Sequence, residues 1–261
     1  VILPPYTDRV LDIIKRIRED EQVRGVVVAV DSPGGLVADS HRIYLALKKL
    51  RETKPMVVAM GRIAASGGYY VAMGGGPETK IFAEEVTWTG SIGVIIPRYD
   101  LSELGAKFGV HSDPLKTGPL KDTLDPFRPL GEEERQLWNT ILNEALDQFV
   151  QVIDQGRAEL DEAAIRRLAT GQVYTARQAL QLKLIDQIGD RDAAVESLKK
   201  DLHLEEARIV RYEYPAGLME LLLGAEATLP GSADDPLRRL LEASVPRAMY
   251  LFGGLAGWTA P

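Results

Sequence analysis

The 261-residue chain has no cysteine. Disulfides, thiolate metal centres and cysteine nucleophiles are therefore excluded, although no cellular compartment is thereby identified. Histidine is scarce, the three being His41, His111 and His203. None belongs to an HExxH motif or another close ligand pair, which argues against a histidine-built metal site. No apolar run reaches the roughly 18 residues that a membrane-crossing helix requires. Positive charge is also in deficit: the net charge is -7 and no basic stripe stands out, so nucleic acid is not an expected partner. What remains is ordinary globular material. Hydrophobic residues make up 45% and charged residues 26%, enough apolar matter for one large domain or two small ones.

The hydrophobic pattern alternates between two periods. Val10, Leu11, Ile13, Ile14 and Ile17 predict an amphipathic helix over 7–21. Residues 25–30 are continuous and β-branched, as in a buried parallel strand, and Asp31-Ser32-Pro33-Gly34-Gly35 breaks them. A helix over 36–51, a strand over 55–60 and a helix over 66–73 follow, a succession that implies right-handed β-α-β units in a covered parallel sheet. Further on come a short strand at 80–83, a short helix at 101–108 and an irregular stretch over 110–130. Long irregular stretches inside compact domains are often functional. The longest helical pattern covers 132–160, with an apolar stripe from Leu137 to Ile153 suited to core or subunit packing. Helices at 162–169, 175–182 and 191–202, a strand-like piece at 183–188 and a strand at 208–214 complete the body. Composition changes after Pro215, so 1–214 reads as one domain and 215–261 as a tail that packs on the body, on a second subunit or near lipid.

Two glycine-bearing turns follow adjacent strands, and in an open parallel sheet sites form beyond the carboxyl ends of the strands. Gly34 or Gly35 can present an unobstructed backbone N–H, and Gly67 follows Ser66 at an expected helix start. Two such donors could hold the oxyanion of a tetrahedral intermediate, an effect of roughly 2.7–4 kcal/mol per donor. Read alone, the Ser66 stretch is equally a tight turn with an incidental serine. The first turn is equally a helix entry or phosphate cradle, although it lacks the Gly-Lys-Ser/Thr end of a P-loop and the spacing of a dinucleotide fold. A serine nucleophile needs a base. His41, His111 and His203 read as surface or helix-end residues, which leaves a lysine. Its ordinary pKa of about 10.4 must fall to roughly 7–8 for that work, which demands desolvation. Lys121, set among Pro119, Leu120, Leu124, Pro126 and Phe127, fits best in kind.

Four ordered motifs give a family resemblance. They are Val30-Asp31-Ser32-Pro33-Gly34-Gly35, Ala64-Ala65-Ser66-Gly67-Gly68-Tyr69-Tyr70, Thr89-Gly90-Ser91-Ile92-Gly93-Val94 and Lys116-Thr117-Gly118-Pro119-Leu120-Lys121-Asp122. Together they resemble the signal peptide peptidase A family over about residues 6–202, including the Gly171-to-Ala179 segment. The resemblance implies a Clp/crotonase-like α/β fold of repeated β-β-α units, with a parallel sheet and a helical C-terminal extension. It implies Ser66 as nucleophile, Lys121 as general base and Ser91 as the residue orienting the lysine amine. Gly35, with Gly34 beside it, and Gly67 are then the oxyanion hole. No metal or cofactor is implied. Peptide substrates, among them signal-peptide remnants, are expected, as are a homo-oligomeric ring, in which the serine and lysine of a site can come from one subunit or from neighbours, and an extracytoplasmic domain held to a membrane by an anchor outside this sequence. The 74–78 loop is longer than the family's usual one, and the tail matches no family motif. Two other readings remain at this point. A crotonase-type acyl-CoA enzyme would need a basic CoA site and no Ser66, and a non-catalytic scaffold subunit would assemble without reacting with a serine probe.

Overall fold

The structure, a computed structural model, describes residues 1–212 and 249–251. Its organising element is a ten-residue strand. Helix α1 (Pro4–Glu19) opens the chain, followed by β1 (Val26–Ser32), β2 (Gly34–Leu36), α2 (Val37–Leu50) and β3 (Met56–Ala65). β1 pairs parallel with β3 in a regular register from Val26↔Met56 to Val30↔Met60. On the opposite side β3 is shared by two short strands. Its first half pairs with β4 (Ile81–Ala83) and its second half with β5 (Trp88–Gly90), both parallel. β4 pairs with β7 (Gln187–Ile188), and β5 pairs antiparallel with β6 (Val173–Thr175), which completes a six-stranded, largely parallel sheet. A separate ribbon joins β2 to β8 (Met249–Leu251), antiparallel, with Gly35 opposite Tyr250.

The strand period sorts the core. Met56, Val58 and Met60 face one way, toward a layer built from α1, α2 and α3 (Gly67–Ala72). Val57 and Ala59 face the other way, against Ala194 and Leu198 of α8 (Arg191–Asp201). The helices follow their stripes. In α1, which Pro4 begins without losing a needed hydrogen bond, Ile14 and Ile17 pack on Ile43, Leu47 and Leu50 of α2. α3 is buried on all sides, and both its tyrosines have partners. Tyr69 Oη donates to Leu184 O at 2.8 Å, and Tyr70 Oη lies 2.7 Å from His41 Nδ1. Burial pushes both phenols well above their ordinary range.

After α4 (Ser102–Lys107) comes the long helix α5 (Glu132–Gly156), and only its C-terminal half reaches the core, through Phe149, Val150, Val152 and Ile153. Leu137 is exposed and Trp138, Ile141 and Leu142 are only partly buried, so the first half of the expected stripe is not part of the buried core. α6 (Glu162–Leu168) and α7 (Ala176–Gln181) close that side. The end of α5 is fixed by a buried ion pair. Arg157 Nη1 and Nη2 donate to Asp186 at 2.9 and 2.8 Å, and its Nε donates to Lys183 O at 2.8 Å. The same carboxylate accepts the Ile81 N–H at 2.7 Å, so α5, β4 and the approach to β7 share one anchor. Removing one partner of a buried pair leaves the other without compensation. Arg157→Ala is therefore expected to lower unfolding free energy by about 3 kcal/mol, the lower end of the usual range because Asp186 is partly solvated; urea denaturation midpoints check it.

Several expected elements differ. The strand expected at 55–60 continues to Ala65, because Ile63, Ala64 and Ala65 find a partner in β5. The glycine turn at 34–35 is itself a short strand, since Ile2 and β8 flank it. The strand expected at 208–214 is absent over 208–212, where Ile209 and Val210 are exposed and pair with no strand among the described residues; 213 and 214 lie outside them. Of the tail expected over 215–261, all but 249–251 lies outside the described residues.

Candidate active site

The site is prepared by an irregularity in β3. Its register with β1 jumps from Val30↔Met60 to Ser32↔Ala64, so β1 advances from 30 to 32 while β3 advances from 60 to 64. Residues 61–63 bulge out. Asp31 fastens the bulge, accepting from Arg62 Nε at 2.9 Å and from the Ile63 N–H at 3.3 Å. Two threonines then pin β5 to the strand beyond it. Thr87 Oγ1 donates to Gly61 O at 2.6 Å and Thr89 Oγ1 to Ala64 O at 2.7 Å.

Ser66 follows immediately, between β3 and α3, with φ 54° and ψ -117°. A side chain in that region is strained by roughly 1–3 kcal/mol, and such strain gathers at functional sites. The conformation is held from both sides: the Ser66 N–H donates to Gly90 O at 2.7 Å, and its carbonyl accepts the Tyr70 N–H at 2.9 Å. The residue is 1% exposed. Ser91 repeats the feature one strand away, with φ 50°, burial and its N–H on Gln172 O at 2.7 Å. Because Ala65 pairs with Gly90, the two serines emerge side by side at the carboxyl end of the sheet.

The glycine turn packs against this serine turn. A Cβ built on Gly67 would lie 2.5 Å from Ser40 Oγ and 3.1 Å from both Gly34 Cα and the Gly35 nitrogen. A Cβ on Gly68 would lie 2.6 Å from Ser32 O. Only glycine at both positions allows α3 to start so close to the turn. Gly34 has φ 109°, and its N–H is used by Ser32 Oγ at 3.2 Å. The Gly34 carbonyl and the Leu36 N–H both face Ile2, accepting at 2.8 Å and donating at 3.0 Å. Alternation along an extended chain turns the Gly35 N–H to the opposite side, where β8 lies. The fold thus brings Gly34, Gly35, Ser66, Gly67 and Ser91 together, and the first-turn amide that faces away from Ile2 is that of Gly35, which β8 lines in this structure.

Lys121 stands apart. It is exposed in the 110–131 arm, and its amine has no hydrogen bond or ion pair among the described residues. The apolar neighbours expected to desolvate it do not enclose it within this chain. The base of the arm is fixed. Lys116 Nζ reaches Asp122 at 2.7 Å, and Arg128 bridges Asp122 at 3.0 Å and Glu134 at 2.9 Å. The Lys116 hydrogen bond holds the Asp122 carboxyl below its ordinary range, and Arg128 does the same for Glu134. Both carboxylates are therefore charged throughout the neutral range, and the arm keeps its shape there. The histidines do not replace Lys121. His111 and His203 are exposed, while His41 is half-buried against Tyr70 and Tyr44, not at the surface as expected, and burial lowers its pKa. Among the described residues no cluster of His, Asp and Glu could hold a metal ion.

The profile of peptidase family S49 matches residues 48–205, a span that holds both serines and Lys121. The chain belongs to peptidase family S49. A Clp protease profile also matches residues 6–88, the part containing both glycine turns. The chain is 37% identical over 252 residues to an Enterococcus faecium protein named as a signal peptide peptidase SppA, covering 93% of this chain and 72% of that one. It is 36% identical over 228 residues to a Synechocystis protein named as a protease, covering 87% and 80%. Protease 4 of Haemophilus influenzae is 34% identical over 191 residues, 72% of this chain but 30% of that longer protein. As an S49 member the chain is a serine peptidase, which sets aside the acyl-CoA reading of the shared fold.

Sequence reasoning missed two contributors to the site. Asp31 was part of a motif, but nothing in its pattern shows that it clamps a bulge thirty residues away. Ser40 had a signal, being a small polar residue at a stripe position with Ile43, Tyr44 and Leu47 on the buried face of α2.

Proposed function

We propose that this S49 peptidase hydrolyses apolar peptides, such as signal-peptide remnants, with a Ser66–Lys121 dyad. The observation that carries the reading is Ser66: a buried serine in a strained conformation, next to the Gly35 and Gly67 backbone and beside Ser91. Neutral Lys121 takes the hydroxyl proton, and Ser66 Oγ attacks the scissile carbonyl. The Gly35 and Gly67 amides receive the developing oxyanion, and Ser91 orients the lysine amine. The lysine then protonates the leaving amine, and water releases the acyl group by the same route in reverse.

Two features support a strand-shaped substrate and a shared site. The Gly34–Leu36 edge already accepts an extended segment, Met249–Leu251, in antiparallel pairing, and a peptide bound by strand addition takes its place. Lys121 is exposed within its own chain and makes no hydrogen bond to the serine cluster among the described residues, so the desolvation it needs comes from a neighbouring subunit. The arm and its surroundings carry exposed Tyr99, Leu104, Phe108, Val110 and Leu115, a surface suited to that contact in a homo-oligomeric ring. No helix among the described residues is long and apolar enough to cross a membrane. Membrane association, with the catalytic domain on the extracytoplasmic side, is part of the proposed reading. The signal peptide peptidase name of the Enterococcus relative supports the substrate class.

The reading has a pH signature. A lysine base works only when neutral, so kcat/KM on an apolar fluorogenic peptide rises from neutral toward alkaline pH. A profile that is flat, or that falls over this range while the protein stays folded, contradicts a lysine base.

A further inference from the structure

The hydroxyl of Ser40 is fully buried and has no hydrogen-bond partner among the described residues. It lies on α2, where a serine hydroxyl commonly bonds back to the carbonyl one turn earlier; this one does not. Alanine would suit that helical position better and would remove an unpaired polar group. A buried polar atom left without a partner calls for an explanation beyond packing. Its location supplies one. The point where a Gly67 side chain would begin lies 2.5 Å from Ser40 Oγ and 3.1 Å from the Gly35 nitrogen. The unpaired hydroxyl therefore lies against Gly67, at the point where the start of α3 also approaches the Gly35 nitrogen.

We infer that Ser40 is a positioning residue for the oxyanion hole, its hydroxyl idle at rest and engaging the Gly35–Gly67 backbone only when the hole is loaded. This rests on the Ser66 mechanism above. The reasoning is differential. An interaction absent from the ground state and present in the transition state raises kcat without changing substrate binding. The resting protein carries an unsatisfied donor, and the loaded enzyme gains from it. Sites of catalysis commonly hold such a conflict between stability and activity.

The experiment is a comparison of Ser40→Ala, Ser40→Cys and Ser66→Ala in the full chain, measuring kcat, KM, inhibition by a peptide aldehyde and the thermal midpoint. Ser40→Ala should lower kcat by about tenfold to a hundredfold, below the loss for a direct oxyanion donor. KM should stay within about twofold, because the ground-state contacts are unchanged. Aldehyde affinity should fall in step with kcat, since the bound aldehyde is tetrahedral, and the thermal midpoint should be unchanged or higher. Ser40→Cys, with a weaker donor of similar shape, should fall between. Wild-type kcat in Ser40→Ala overturns the inference, as does a kcat loss that is matched by a lower midpoint and not followed by aldehyde affinity. If Ser66→Ala is inactive while Ser40→Ala is normal, only the Ser40 role fails. If Ser66→Ala keeps full activity, the mechanism beneath it fails.

Discussion

Replacing Ser66 by alanine is expected to abolish peptide hydrolysis, with kcat lower by on the order of 10⁴–10⁶. Alanine keeps a side chain at φ 54°, so the strain persists and the fold should be nearly as stable as the parent. Ser66→Gly separates the two effects. Glycine relieves strain of roughly 1–3 kcal/mol, but it adds backbone freedom to the unfolded chain, a loss of about 0.4–1 kcal/mol. The net is a protein about 1 kcal/mol more stable and equally inactive. Thermal melts and peptide assays on both variants check this. A stabilised, inactive Ser66→Gly links the strain to catalysis; an unchanged midpoint means that the Gly90 and Tyr70 contacts impose the conformation at no cost.

Lys121→Ala should lose activity on the same scale, because without a base the serine stays protonated. Its exposure implies little change in stability. The more informative result comes from mixing. Where each site takes serine from one subunit and lysine from the next, an equal mixture of Ser66→Ala and Lys121→Ala subunits, unfolded and reassembled together, forms intact sites at about one quarter of positions by random placement in a ring. Recovery of roughly that share of parental activity supports the shared site. Inactivity of the mixture, with assembly verified by light scattering, supports pairing within a chain and a large movement of the 110–131 arm.

Much of this site could be read from the residues, and what escaped has specific causes. The alternation of strands and helices is local, and 26–30, 37–50 and 56–60 fall where period and turn signals place them. The extension of β3 through Gly61 to Ala65 is not local. Those small residues look like a turn, and only pairing with Trp88–Gly90 makes them a strand. β2 is invisible for the same reason, since two glycines become strand through Ile2 on one side and Met249–Leu251 on the other. β6 runs antiparallel to β5, contrary to the general parallel expectation, and its three residues reach that edge only after the long excursion through α4, α5 and α6, a pairing that no local signal marks. At the site, glycine after serine signalled close approach, and contacts of 2.5–3.1 Å around Gly67 give the reason. Lys121 was legible as a residue type but not as a position. Its apolar sequence neighbours suggested burial, yet the arm directs the lysine outward, and burial of an exposed side chain depends on whatever docks there.

The central claim, that Ser66 is the nucleophile, is tested most directly by covalent labelling with a peptidyl fluorophosphonate followed by peptide-mapping mass spectrometry. A single adduct on Ser66, absent from Ser66→Ala and forming much more slowly in Lys121→Ala, is the predicted result. An adduct on another residue, or peptide hydrolysis that continues with Ser66 unmodified, contradicts it.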